Sequence, residues 1–165
     1  MSPNQPALEH YNLGVDHTRK GLWNKAIEEF KHAIAADSKF FEAYYALGIC
    51  YEYNHEGIHF GMGNRSEQSM VAYQKAVEIN PKFAPAHANL GNLYTRLGSH
   101  DQAISELLLA IKADPNYIEA HINLSTEYER IQSNDFAITE LERALRLNPN
   151  HAIAHYNLAN IRFKQ

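Results

Sequence analysis

Hydrophobic positions along this chain recur at helical spacing in short, paired stretches. Leu90, Leu93, Tyr94 and Leu97 follow one another at helical steps, and after Gly98 and Ser99 the pattern resumes with Ile104, Leu107, Leu108 and Ile111. Apolar residues at i, i+3, i+4 and i+7 mark an amphipathic helix, so these stretches predict two helices joined by a tight turn. Asp114-Pro115-Asn116 closes the pair. Proline cannot continue a helix and pushes its predecessor out of the helical region. The same stop returns as Asn80-Pro81 and Asn148-Pro149, whereas Asp37-Ser38 offers a weaker one near the start of the chain.

The register itself repeats. Ala103, Leu107, Ala110 and Pro115 return as Ala137, Leu141, Ala144 and Pro149, 34 residues later. After a tail over 1–6, units fall at 7–40, 41–83, 84–117 and 118–151, with a half unit or capping helix at 152–165. Their starts are separated by 34, 43, 34 and 34 residues, so the second unit carries nine extra. Such a period predicts an array of helix pairs, each touching only its neighbours, with function on a long surface rather than in one pocket. Gly14, Gly48, Gly91, Ser125 and Ala159 share one slot, and Ala33, Ala76, Ala110 and Ala144 share another. Small residues there let two helix backbones approach, and a large one is expected to clash. Tyr51, Tyr94, Tyr128, Phe30 and Tyr73 are expected to fill the core beside them. The half unit either caps the array or is the cut edge of a longer one; Phe163-Lys164-Gln165 would run naturally into a turn, which favours the longer array.

Composition narrows the function classes. The chain is 45% hydrophobic and 21% charged, ordinary values for a folded domain. No apolar stretch approaches the roughly 18 residues of a membrane span. The opening Met-Ser-Pro-Asn-Gln-Pro lacks the segments of a secretory signal. A single cysteine, Cys50, leaves no internal disulfide and suggests a reducing, cytoplasmic setting. A net charge of -4 lacks the basic footprint of a nucleic-acid binder. Neither a membrane nor a cofactor is expected.

The pattern Leu90-Gly91…Tyr94…Ala103…Leu107…Ala110…Pro115 resembles the tetratricopeptide repeat (TPR), a 34-residue helix–turn–helix unit. The resemblance extends over 7–165. His10, Tyr44, His87, His121 and His155 depart from the Trp or Leu common early in the first helix, and Gln132 stands where Gly21 and Gly98 make the turn. The resemblance implies an all-α, right-handed superhelical solenoid whose first helices line a concave face, and a non-catalytic protein-interaction module that cradles a peptide or partner segment there. It also leaves open self-association through the ends or edges of the array, and a place within a larger enzyme such as a glycosyltransferase.

Mapped onto that face, Asn12, Asn89, Asn123 and Asn157 form a row of amides, interrupted by Ala46. Each amide offers donors and an acceptor, so a ladder of them can hold an extended peptide backbone without reading its sequence. The row resembles the asparagine ladder in the repeat domains of O-linked N-acetylglucosamine transferases; the alternative is that these amides are simply solvated. Arg19, Arg96, Arg130 and Lys164 form a second row, suited to acidic ligands or to complementing the helix dipoles. Tyr11, Tyr45, Ile122 and Tyr156 lie between the rows. A two-carboxylate clamp for chaperone tails is incomplete. Asn92 and Asn160 occupy its second asparagine position, but Tyr11, Tyr45, Ala88, Ile122 and Tyr156 stand where it needs lysine.

His55-Glu56-Gly57-Ile58-His59 matches the H-E-x-x-H zinc motif. Its context is poor. Gly57 costs a helix about 1 kcal/mol relative to Ala, and no third ligand is compellingly placed. His55 and His59 are therefore weak metal candidates, and the insertion near 54–66 reads as a lengthened first helix with a Gly-rich loop. Phe60 and Met62 make that loop a second candidate contact site. The histidines sharing one slot are expected to pack against the partner helix of their own unit rather than to bind metal.

Overall fold

The structure is a computed structural model that describes residues 3–53 and 62–164, and every regular element among them is an α-helix. The chain divides into two units, Met1–Pro81 and Lys82–Gln165. In the first, α1 (Gln5–Arg19) packs on α2 (Trp23–Ala36), α2 on α3 (Phe41–Tyr53), and α3 on α4 (Met62–Ile79). In the second, α5 (Ala84–Arg96) pairs with α6 (His100–Ala113) and α7 (Ile118–Arg130) with α8 (Asn134–Leu147), while α9 (Ala152–Lys164) packs on α8. The first helices α5, α7 and α9 also touch in sequence order.

Helix ends follow local chemistry. α1 begins at Gln5, inside the expected tail, because the Asn4 side chain accepts from the Ala7 amide at 2.9 Å and Pro6 suits the first turn. Gly21 (φ 71°) and Gly98 (φ 74°) make the turns within their pairs, and Gln132 adopts φ 58° at the same place. Between pairs, the stop is carried by an acceptor side chain rather than by proline. Asp37 Oδ1 accepts from the Lys39 amide at 3.0 Å, Asp114 Oδ1 from Asn116 at 2.9 Å and Asn148 Oδ1 from Asn150 at 3.2 Å. The Asp37, Asp114 and Asn148 amides each return to an alanine carbonyl four residues back, at 2.9 Å. Asp37-Ser38 therefore ends α2 as firmly as the proline-bearing stops end α6 and α8.

Close approach of the paired helices rests on the small-residue slot. A Cβ on Gly14 would sit 2.6 Å from the Phe30 ring, one on Gly48 2.5 Å from the Tyr73 ring, and one on Gly91 2.7 Å from Leu107. Ser125 is buried and donates to the Ile122 carbonyl at 2.6 Å, which satisfies its hydroxyl inside the core. Ala159, in α9, is exposed because no second helix covers it among the described residues. Phe30, Tyr73, Ala33, Ala76, Ala110 and Ala144 are buried as expected, while Tyr51, Tyr94 and Tyr128 are half-buried.

The insertion distributes differently from the expectation. α4 has 18 residues where α2, α6 and α8 each have 14, so part of the extra length extends the second helix. Residues 54–61, including His55, His59 and Phe60, lie outside the described residues, as does the side chain of Met62, so that contact site and zinc motif have no structural account.

Candidate peptide-binding face

Three first helices present the asparagine row in the second unit. α5 carries Asn89 and Asn92, α7 carries Asn123, and α9 carries Asn157 and Asn160; all five are half-buried. Asn123 Nδ2 donates to Asn92 Oδ1 at 2.7 Å, joining α5 to α7. An amide pair joined by one such bond still has one NH2 and one carbonyl with unused capacity, whichever way each amide is oriented. That is the complement of one peptide unit. In the first unit, Asn12 is exposed on α1.

The tyrosines divide by role. Tyr11 is half-buried, with its ring 4.9 Å from Phe40 and 5.6 Å from Phe30, and serves the core of its repeat. Burial, then the nearby Glu42 carboxylate, raises its pKa above the usual phenol value. Tyr45 lies 5.7 Å from Tyr73. Tyr156, 67% exposed on α9, is open to a partner.

Carboxylates accompany Arg19, Arg130 and Lys164. Arg19 lies 3.4 Å from Asp16, Arg130 3.9 Å from Glu127 and Lys164 2.8 Å from Glu129, whose hydrogen bond and charge raise the lysine pKa. Arg96 is exposed at the end of α5. The fully buried Glu127 was not singled out by sequence pattern. It accepts from Thr95 Oγ1 and His100 Nδ1, each at 2.7 Å, and so ties α5, the start of α6 and α7 together.

The shared histidine slot is a latch across the first, third and fourth pairs. His10 meets Glu29 at 2.7 Å, His87 meets Glu106 at 2.7 Å and His121 meets Glu140 at 2.5 Å, always 19 residues apart. His121 also donates Nε2–H to the Pro115 carbonyl at 2.9 Å. Burial opposes its charge, but the Glu140 hydrogen bond, the Pro115 carbonyl and the Glu140 charge outweigh burial and Arg143, so its pKa is raised above 6.5. His155, whose own repeat has no second helix among the described residues, donates Nε2–H to the Pro149 carbonyl at 2.8 Å.

The second repeat lacks the latch. Tyr44 replaces its histidine and Ala72 its glutamate, and there a cleft of about 360 Å³ opens between α3 and α4. Leu47, Tyr51 and Val71 supply apolar walls, and Glu67 and Lys75 supply charge.

Comparison with known proteins agrees with this architecture. The family described as TPR repeat matches residues 62–98 and 127–165, and that described as Tetratricopeptide repeat matches 84–117. The crystal structure of MamA is 29% identical, with a TM-score of 0.74 over 90% of this chain and 81% of that one. Pseudomonas aeruginosa pilF is 19% identical, with a TM-score of 0.82 over 97% of this chain and 69% of that one, a likeness of fold. The peroxisomal targeting signal receptor of Candida albicans is 29% identical over 111 residues; the match takes in 66% of this chain and 17% of the receptor. No helix among the described residues is long and apolar enough to cross a membrane. With its 34-residue register, its glycine-spaced helix pairs and these matches, the chain belongs to the tetratricopeptide-repeat family.

Proposed function

We propose that this chain is a non-catalytic interaction scaffold that holds an extended peptide segment on the amide face of α5, α7 and α9. Family membership supports the coarser part, a protein-interaction scaffold. The observation that carries the finer part is the Asn92–Asn123 bond at 2.7 Å, flanked by Asn89, Asn157 and Asn160 on the same three helices. Asn157 and Asn160 make no hydrogen bond to other described residues, so their amides are available to a ligand backbone. A relative named as a targeting signal receptor is consistent with recognition of a peptide segment.

The ligand contacts are backbone amides first and side chains second. Tyr156 offers a stiff apolar surface beside them. Arg19, Arg130 and Lys164 already face Asp16, Glu127 and Glu129, so an acidic ligand residue would have to compete with those carboxylates. Selection of binders from a random peptide library, followed by NMR mapping on the labelled chain, tests the proposal. Perturbations should centre on the side-chain amides of Asn89, Asn92, Asn123, Asn157 and Asn160. Perturbations confined to the α3–α4 cleft would overturn it.

A further inference from the structure

We propose that His10, Glu29 and His32 form a binding site for a divalent transition metal of the zinc class, confined to the first repeat. One ligand atom from each of the three lies within 4.8 Å of the others. His10 projects from α1, and Glu29 and His32 lie three residues apart on α2, hence on one face. Gly14, one turn after His10, brings α1 against the Phe30 ring, and this close approach sets His10 at 2.7 Å from Glu29. The His10 and His32 rings stand 5.1 Å apart and tilted by 57°.

The other repeats provide an internal comparison. The same latch recurs as His87–Glu106 and His121–Glu140, but Leu109 and Arg143 occupy the place of His32. Neither can supply a second neutral nitrogen as the third ligand. Access differs as well. The His10 side chain is 39% exposed, against 7% for His87 and 1% for His121. His121 spends its second nitrogen on the Pro115 carbonyl, whereas His10 Nε2 and both nitrogens of His32 have no hydrogen-bond partner among the described residues.

Two imidazoles and one carboxylate suit zinc-class ions, which bind at about 2.0–2.2 Å and accept three protein ligands with a further position left for solvent. Tetrahedral bonds of that length place ligand atoms roughly 3.4 Å apart. The His10–Glu29 contact therefore opens slightly, and the ion takes the place of the proton the two share. The ligands sit on a rigid helix pair, so little ordering is left for the ion to impose.

Titration of the untagged chain with zinc chloride by calorimetry, and with cobalt(II) by visible absorption, tests the site. One equivalent of zinc should bind, with cobalt bands typical of nitrogen and oxygen ligands. His32→Leu, which installs the third repeat's residue at an exposed position, should weaken binding by about tenfold or more, with an unchanged helical circular-dichroism spectrum. Glu29→Gln should weaken it in the same direction. Absence of zinc binding in the wild type overturns the proposal. So does binding that survives His32→Leu but disappears in a His55→Ala/His59→Ala chain.

Discussion

The second and fourth repeats solve the same packing problem with different chemistry. In the fourth, His121 on α7 reaches Glu140 on α8, and the space between the helices is closed by a charged hydrogen bond. In the second, Tyr44 and Ala72 take those two places and an apolar cleft of about 360 Å³ remains. Both pairs still close, because the tight contact lies one turn further on. Gly48 meets the Tyr73 ring there, and the small Ser125 is buried at the same place in the fourth repeat. The helix pair thus depends on steric fit at the small-residue slot, while the polar latch is an interchangeable addition whose loss leaves room for contacts.

The largest effect should come from breaking that steric fit. Gly91→Val would set a Cβ 2.7 Å from Leu107 and 3.3 Å from the Ala103 carbonyl, of which the carbonyl belongs to the backbone and cannot rotate aside. Thermal unfolding should show a loss of about 1–3 kcal/mol. Removing the latch comes next. His121→Ala leaves the Pro115 carbonyl and the Glu140 carboxylate without their donor and should cost about 1–3 kcal/mol near pH 6, toward the lower end because Glu140 retains solvent access.

That cost should depend on pH. The folded-state pKa of His121 is raised, because its two nitrogens face a carboxylate and a carbonyl and only the protonated ring donates to both. Its contribution is therefore complete below the ordinary value of about 6.5 and fades as pH rises through the folded-state value. The stability difference between wild type and His121→Ala, measured by denaturant unfolding, should shrink as pH is raised from 6. A difference that grows would contradict the sign.

Smaller effects sharpen the comparison. Tyr44→His with Ala72→Glu transplants the latch into the second repeat and should stabilise the α3–α4 pair by about 0.5–1.5 kcal/mol, read as slower hydrogen exchange in α3. In the fourth repeat, Gln132 holds φ 58° where Gly21 and Gly98 stand in others. Gln132→Gly should raise stability by at most about 1 kcal/mol, since relief of left-handed strain is partly offset by a more flexible unfolded chain.

How much of this was legible in the sequence depends on whether a contact stays inside the 34-residue period. The glycine and alanine slots were readable, because close backbone approach tolerates only small residues and the period repeats them. The His–Glu latch was half visible. Its histidines stood out, but their partners lie on the next helix, and a search for a constant 19-residue offset would have found all three. Contacts between repeats were not legible. Asn92–Asn123 and Thr95–Glu127 span 31 and 32 residues and depend on how neighbouring first helices align. The ends also misled. Tyr11 sits in the slot of the exposed Tyr156, yet Phe30 and Phe40 draw it into the core. His32 gave no signal, because an exposed histidine on a helix face is ordinary until the fold brings His10 and Glu29 beside it.

The proposed peptide site is the amide face of α5, α7 and α9. Fluorescence anisotropy with one library-selected peptide, comparing wild type with Asn89→Ala/Asn123→Ala at matched helicity, tests it most directly. The double substitution removes two of the row's amides and the partner of Asn92. With each hydrogen bond worth about 0.5–1.5 kcal/mol, affinity should fall at least severalfold. Equal affinity for the two chains would contradict the amide face as the peptide site.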